Sequence, residues 1–328
     1  MKTLIAITDQ TMLQFFFPPE VLERLKALCE VEFLDDVNSL AARVRGQDIV
    51  ITSWGSPKLT REVLEEADGL KLYAHTAGTV VPYVDPVVFQ RGIRVVNANA
   101  ALARSTAECT LMLMLAGTWR IIENMKKTRL GKWSEIKDTK PSGLYGRTVG
   151  LIGLGEISRE VIRLLAPFRC RILMHSPHCT AEEAESLQVE LCSLEELLRQ
   201  SDIVSLHNTL TEASRGMLGD AELSLIRDGA LFVNTARGPI VRQEALRKHV
   251  STGRIFAALD VYEEEPLPPD SEWTSYENVI ATPHCGGYSE YWMNHMSTLI
   301  VDDIERLLQG QALQHEITAE RFARLTLR

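Results

Sequence analysis

Apolar residues along this chain gather in short continuous runs, separated by longer stretches in which they recur every three or four positions. In the first hundred residues TLIAI, VEFL, DIVIT, LKLYAH and RVVNA have the unbroken apolar, often β-branched character of strands buried on both faces. Segments such as PPEVLERLKALCE and TREVLEEADG carry the helical period between them. Pro18 and Pro19 stand where the first of these helices begins, a place where a missing backbone N–H costs little. A helical pattern over 105–125 follows, with LMLML as its buried face. After the polar connection KDTKPSGLYG a second series opens, with TVGLIG, RILMH, IVSL, ALFV, RIFAALD and NVIAT as its strands. SLEELLRQ is one of its helices, where Ser193 and Glu196 have capping-box spacing, and an amphipathic helix over 290–308 closes the chain. Strand and helix alternating in this way predict an α/β protein of two units, each a doubly wound parallel sheet.

Length and composition narrow the class. At 328 residues the chain suits two domains of about 150 residues each. A hydrophobic content of 45% with 24% charged residues belongs to a globular protein, and a net charge of -9 argues against nucleic acid or an anionic membrane as partner, since both need a basic face. No apolar run approaches the roughly 18 residues of a membrane span, and the run in MKTLIAITDQ is too short for a signal peptide. Cys29, Cys109, Cys170, Cys179, Cys192 and Cys285 are scattered with no C-x-x-C pair, so reduced thiols in a cytoplasmic protein are expected, with no metal and no disulfide framework.

The chemistry begins at TVGLIGLGEIS, where an apolar strand runs into Gly153-Leu154-Gly155 and then into a helix. The first glycine permits a tight turn, and the second lets the backbone approach a pyrophosphate held at the helix N-terminus. Ser158 takes the third-glycine position and is small enough to displace the helix only slightly. Glu156 lies in the first helical turn, which suits the helix dipole. Its side chain is expected to point away from a bound phosphate. About 20 residues beyond such a turn an acidic side chain is expected at the adenosine ribose. Ser176, in ILMHSPHC, stands there instead.

Four segments, YGRTVGLIGLG, DIVSLHNTLTEASRGML, LFVNTARGPIV with ALDVYEEEP, and NVIATPHCGG, resemble in order and spacing the D-isomer-specific 2-hydroxyacid dehydrogenase family, and HTAGTV with RGIRVVNANA resembles its substrate-domain segments. The resemblance covers nearly the whole chain. It implies a Rossmann nucleotide-binding domain at 102–288 inserted in a flavodoxin-like substrate domain built from 1–101 and 289–328, with the active site between them. It also implies a homodimer and hydride transfer between NAD or NADP and a small 2-oxo acid or D-2-hydroxy acid, of glyoxylate or hydroxypyruvate type.

Carried over residue by residue, the resemblance makes Arg237, in NTARGP, the planar guanidinium that holds the substrate's carboxylate and carbonyl oxygens together. His284, in TPHCGG, becomes the general acid, and Glu265, in EEEP, the carboxylate that bonds to its imidazole and favours the protonated form. Glutamate there sets the chain apart from the formate-oxidising branch, where glutamine is expected. On the cofactor side the same matching points to Gly153, Gly155, Glu156 and Ile157 at the phosphates, Ser176 at the adenosine ribose, and His207 and Thr209 near the nicotinamide ribose. Thr209 stands where the family usually has proline. Asp260, in ALDVY, faces the nicotinamide amide, with Thr235, Ala236, His284 and Gly286 beside it. Ala77 and Gly78, in HTAGTV, offer backbone N–H groups to the substrate carboxylate, a nest-like arrangement. Trp54, Tyr83 and Trp292 are candidates for the pocket wall, and Cys285 is read as a small packing residue. Two other readings stay open: a dinucleotide-sensing protein of the corepressor kind, and the same fold acting on a bulkier 2-hydroxy acid or phosphite. With neither an acid at Ser176 nor an arginine in HSPHCT, the expected cofactor preference is blurred, with NADP tolerated.

Overall fold

The computed structural model describes residues 1–135 and 141–325. The polar connection expected over 137–146 therefore begins outside the described residues. Two compact units are present, Met1–Ala103 with Gly287–Arg328, and Arg104–Gly286. Each is built on one parallel sheet.

In the first unit, β1 (Lys2–Ile5), β2 (Glu30–Phe33), β3 (Ile49–Thr52), β4 (Leu72–His75) and β5 (Arg94–Asn97) lie in the order β2-β1-β3-β4-β5, parallel throughout. This is the flavodoxin-type order. Alternate residues face opposite layers. Ile49, Ile51, Leu72 and Ala74 pack with Phe16, Leu25, Met296 and Ile300 on one face, whereas Val50, Tyr73 and Val95 pack with Leu40, Leu64 and Val88 on the other. Both faces of β3 and β4 are buried, which is why their sequences are apolar without interruption. The closing helix Glu290–Leu308 forms with the predicted bounds, and Pro19 occupies the first turn of the helix Pro19–Leu28.

The second unit holds β6 (Thr148–Ile152), β7 (Arg171–His175), β8 (Glu190–Leu191), β9 (Ile203–Leu206), β10 (Leu231–Asn234), β11 (Phe256–Leu259) and β12 (Val279–Ala281) in the order β12-β11-β10-β9-β6-β7-β8. All its pairs are parallel. The order reverses between β6 and β9, the crevice where a doubly wound sheet takes its ligand. Ser193 and Glu196 make the reciprocal capping box at the helix Leu194–Gln200.

One helix departs from its sequence pattern. The segment expected over 105–125 instead forms Asn99–Thr118, then a separate helix Ile121–Arg129. The break falls at Arg120, which takes the left-handed conformation at φ 51° while its guanidinium lies over the Phe256 ring. A tertiary contact thus overrides a continuous helical pattern. Within LMLML, Leu113 and Met114 are buried but Met112 is exposed. Among the described residues no helix is long and apolar enough to cross a membrane.

Candidate active site

The site in the second unit is assembled at the carboxyl ends of β10, β11 and β12. Beyond β10 the chain turns sharply, and Asn234 ties the turn together: its Oδ1 accepts the Ala236 N–H at 3.0 Å and its Nδ2 donates to the Arg237 carbonyl at 3.1 Å. Thr235 Oγ1 is 2.8 Å from Thr110 Oγ1. The half-buried Arg237 donates from Nη1 to the Ala236 carbonyl at 2.6 Å. Its basicity is lowered by burial and partly restored by the charge of Glu265. Gly238 follows because any Cβ there would overlap the Tyr262 carbonyl.

Glu265 is held from two sides. Its Oε1 accepts the Tyr262 N–H at 2.8 Å, and its Oε2 lies 2.7 Å from His284 Nδ1. Burial pushes its carboxyl up, but the His284 bond, the Tyr262 N–H and the charges of His284 and Arg237 outweigh burial and hold it below the usual carboxylate range. Because a carboxylate only accepts, Nδ1 of His284 carries the proton, and Nε2 is left as the atom able to exchange one with a substrate. His284 itself sits at φ 52°, an unusual conformation for a non-glycine residue, and its side chain is 46% exposed.

Asp260 anchors the loop that carries the histidine. Its Oδ1 accepts from Thr282 Oγ1 at 2.7 Å and from the Cys285 N–H at 2.9 Å, while Oδ2 accepts the Gly286 N–H at 2.9 Å. Tyr262 Oη donates to the Leu259 and Thr282 carbonyls. The loops after β11 and β12 are thereby locked to one another.

The glycine turn lies at the strand-order reversal. Gly153 has φ 97°, and a Cβ there would press on the Asn208 backbone, so both conformation and space require glycine. Gly155, the N-cap of the helix Glu156–Leu165, meets no atom within 4 Å of where its Cβ would stand. That open space is what a pyrophosphate approaching the backbone needs. Ser158 is buried and accepts the Gly155 N–H at 2.7 Å, so the residue at the third-glycine position caps the helix. Glu156 and Ile157 form the first helical turn.

Opposite the turn, His207 follows β9. Its N–H donates to the Ile152 carbonyl and its Nε2 is 3.0 Å from Ser205 Oγ. Burial pushes its imidazole down to about 4, so it is neutral at physiological pH, and its buried Nδ1 has no hydrogen-bond partner among the described residues. Thr209 accepts from Ser214 Oγ at its carbonyl. Ser176 ends β7 beside the turn, its Oγ accepting the His178 N–H at 3.3 Å. The orphaned nitrogen of His207 and the space at Gly155 fit a nicotinamide dinucleotide.

Ala77 and Gly78 belong to the first unit, in the loop after β4. The Ala77 carbonyl accepts the Ala98 N–H and the Gly78 carbonyl accepts from Asn97 Nδ2, which leaves the loop's geometry fixed. In the same unit Trp54 stacks on Tyr288, Tyr83 stacks on His75, and Trp292 packs edge-on to Tyr291. Asn234 and Tyr262 escaped the sequence reading because each bonds to loop backbone, which leaves no spacing to recognise, and Ser158 stands out in the sequence for its small size and not for its bond to the Gly155 N–H. NTARGP carried the only available signal for Asn234, which is the first residue of that segment.

Residues 111–286 match the family model described as D-isomer specific 2-hydroxyacid dehydrogenase, NAD binding domain. The glyoxylate reductase of Aeropyrum pernix is 32% identical over 314 residues, covering 92% of this chain and 93% of that one. The D-3-phosphoglycerate dehydrogenase of Methanocaldococcus jannaschii is 34% identical over 303 residues, covering 91% of this chain but 57% of its own. This chain thus spans about half the length of the phosphoglycerate dehydrogenases it matches. The crystal structure of the TT0316 protein from Thermus thermophilus is similar with a TM-score of 0.79 and 31% identity, covering 97% of this chain and 100% of that chain.

Proposed function

The chain belongs to the D-isomer specific 2-hydroxyacid dehydrogenase family, and from that premise we propose that it reduces a small 2-oxo acid to the D-2-hydroxy acid with NADH or NADPH. The observation that carries this reading is the His284–Glu265 pair at 2.7 Å, with the Arg237 charge acting on the same carboxylate. A nicotinamide cofactor held in this site would supply the hydride for the keto carbon. Arg237 binds the substrate's carboxylate and carbonyl oxygen, a task its forked donors perform and a point charge does not. Glu265 fixes the tautomer of the imidazole, and His284 delivers the proton from Nε2 to the carbonyl oxygen. Asp260 takes the nicotinamide amide, and the Ala77–Gly78 loop takes the substrate carboxylate. In this reading the unit Arg104–Gly286 is the nucleotide domain and the other the substrate domain.

A substrate of glyoxylate or hydroxypyruvate size is favoured by the near end-to-end match with a glyoxylate reductase. The assay is direct: the protein is mixed with NADH or NADPH and a panel of 2-oxo acids, and loss of the reduced-cofactor absorbance is followed. Folded protein that binds nucleotide yet turns over none of them would overturn the reading in favour of a sensor.

We further propose that the protein is a cytoplasmic homodimer. Trp119, Ile122, Met125, Leu130 and Trp133 are exposed on and around the helix Ile121–Arg129, more large apolar surface than a monomer usually leaves to water. Light scattering should give the dimer mass, and Trp133→Glu should lower it.

A further inference from the structure

Cys109, Asp260 and Cys285 come from distant parts of the sequence and meet in one place. Cys109 lies on the helix Asn99–Thr118, Asp260 follows β11, and Cys285 follows His284; their ligand atoms all lie within 4.8 Å of one another. Cys285 Sγ is 3.5 Å from Asp260 Oδ1. Two tetrahedral ligands at ordinary Zn–S and Zn–O lengths stand about 3.5 Å apart, and two sulfurs about 3.8 Å. The Cys285–Asp260 spacing is therefore that of two ligands of a single ion, and the Cys109 sulfur lies within 4.8 Å of both. A sequence search for C-x-x-C could not find them.

Asp260 brings a buried carboxylate to the two sulfurs. The carboxylate is already oriented by Thr282 and by the N–H groups of Cys285 and Gly286, the outer support that a ligating carboxylate requires. Both cysteines are free and only partly buried, so an ion can reach them.

We propose that Cys109, Asp260 and Cys285 form a binding site for Zn²⁺ or another thiophilic divalent cation, occupied in competition with the nicotinamide end of the cofactor. Each thiol releases its proton to solvent as its sulfur–metal bond forms; the carboxylate is the third ligand and water the fourth. The competition rests on the reading of Asp260 as the partner of the nicotinamide amide. The binding does not.

The test is titration of the reduced, full-length protein with Cd²⁺, followed by the ultraviolet thiolate-to-metal charge-transfer band. The band should saturate at one equivalent, with about two protons released per ion in calorimetry across buffers of different ionisation heat. Cys109→Ser should abolish the band and weaken binding at least tenfold, and Cys285→Ser should do the same, while Cys179→Ser keeps it; thermal unfolding by circular dichroism checks that each variant folds. No band, or a band unchanged in both variants, overturns the site. A band that saturates while NADH stays bound overturns the competition alone and leaves the site standing.

Discussion

The two ends of the proposed nucleotide site are built to different standards. At the His284 end every functional side chain is constrained by other atoms: Glu265 by an N–H and an imidazole, Asp260 by a hydroxyl and two N–H groups, and the turn before Arg237 by Asn234. At the Ser176 end a hydroxyl accepts one 3.3 Å bond beside the exposed His178, and the position proposed to face the ribose carries no charge. Chemistry requires placement to a fraction of an ångström, whereas tethering an adenosine does not. Substitutions should therefore act on rate at the first end and on cofactor choice at the second.

The largest effect is expected for His284→Ala, which removes the proton donor. Turnover should fall by about a hundred- to ten-thousandfold with nucleotide binding retained, as stopped-flow and fluorescence titration would show. A rate within a factor of three or so of the native one would refute the assignment. Next is Arg237→Lys. It keeps the charge but loses the fork, so kcat/KM for the 2-oxo acid should drop by roughly ten- to a hundredfold, chiefly through KM. An unchanged KM would place the substrate elsewhere.

Glu265→Gln keeps shape and removes charge. Without the carboxylate the imidazole loses the acceptor that fixes its tautomer, so the rate of reduction should fall. Stability has its own sign. The Glu265 carboxyl is held below its usual range in the folded protein, so its contribution is whole above about pH 4.3, the ordinary glutamate value, and is lost as pH falls through the lower folded value. The Gln variant should unfold with a flatter dependence on acid. An unchanged rate of reduction would show that the carboxylate is not needed to hold the ring.

How much of this was legible in the sequence follows from where the information resides. The doubly wound parallel sheets could be anticipated because strands buried on both faces are apolar throughout, as in IVIT and LYAH, and the nucleotide turn because a glycine at φ 97° has few substitutes. The proposed catalytic residues lie in short segments whose neighbours are as constrained as they are. Arg120 shows the opposite case: nothing near WRIIEN marks a helix break, since its cause is Phe256, which belongs to a strand much later in the chain. Cys109 is similar. Its proposed role depends on Asp260 and Cys285, and no local pattern records that meeting.

The smallest expected effect tests the loosely built end. Ser176→Asp would place a carboxylate where β7 ends, within the β7–β6 register that brings His175 opposite Ile152 and its carbonyl onto the Gly153 N–H. A carboxylate there accepts from both ribose hydroxyls of NAD and repels the 2′-phosphate of NADP. The native protein should prefer neither cofactor by more than about a hundredfold, or roughly 2.7 kcal/mol. In the variant the ratio of kcat/KM for NADH over NADPH should rise by about tenfold or more, with kcat for NADH unchanged, because the substitution lies away from the reacting atoms. A fall in kcat together with KM would mean that the two ends are coupled and that the contrast between them is only one of packing. A native preference for NAD above a hundredfold would mean that Ser176 and its neighbours read the ribose without a charge.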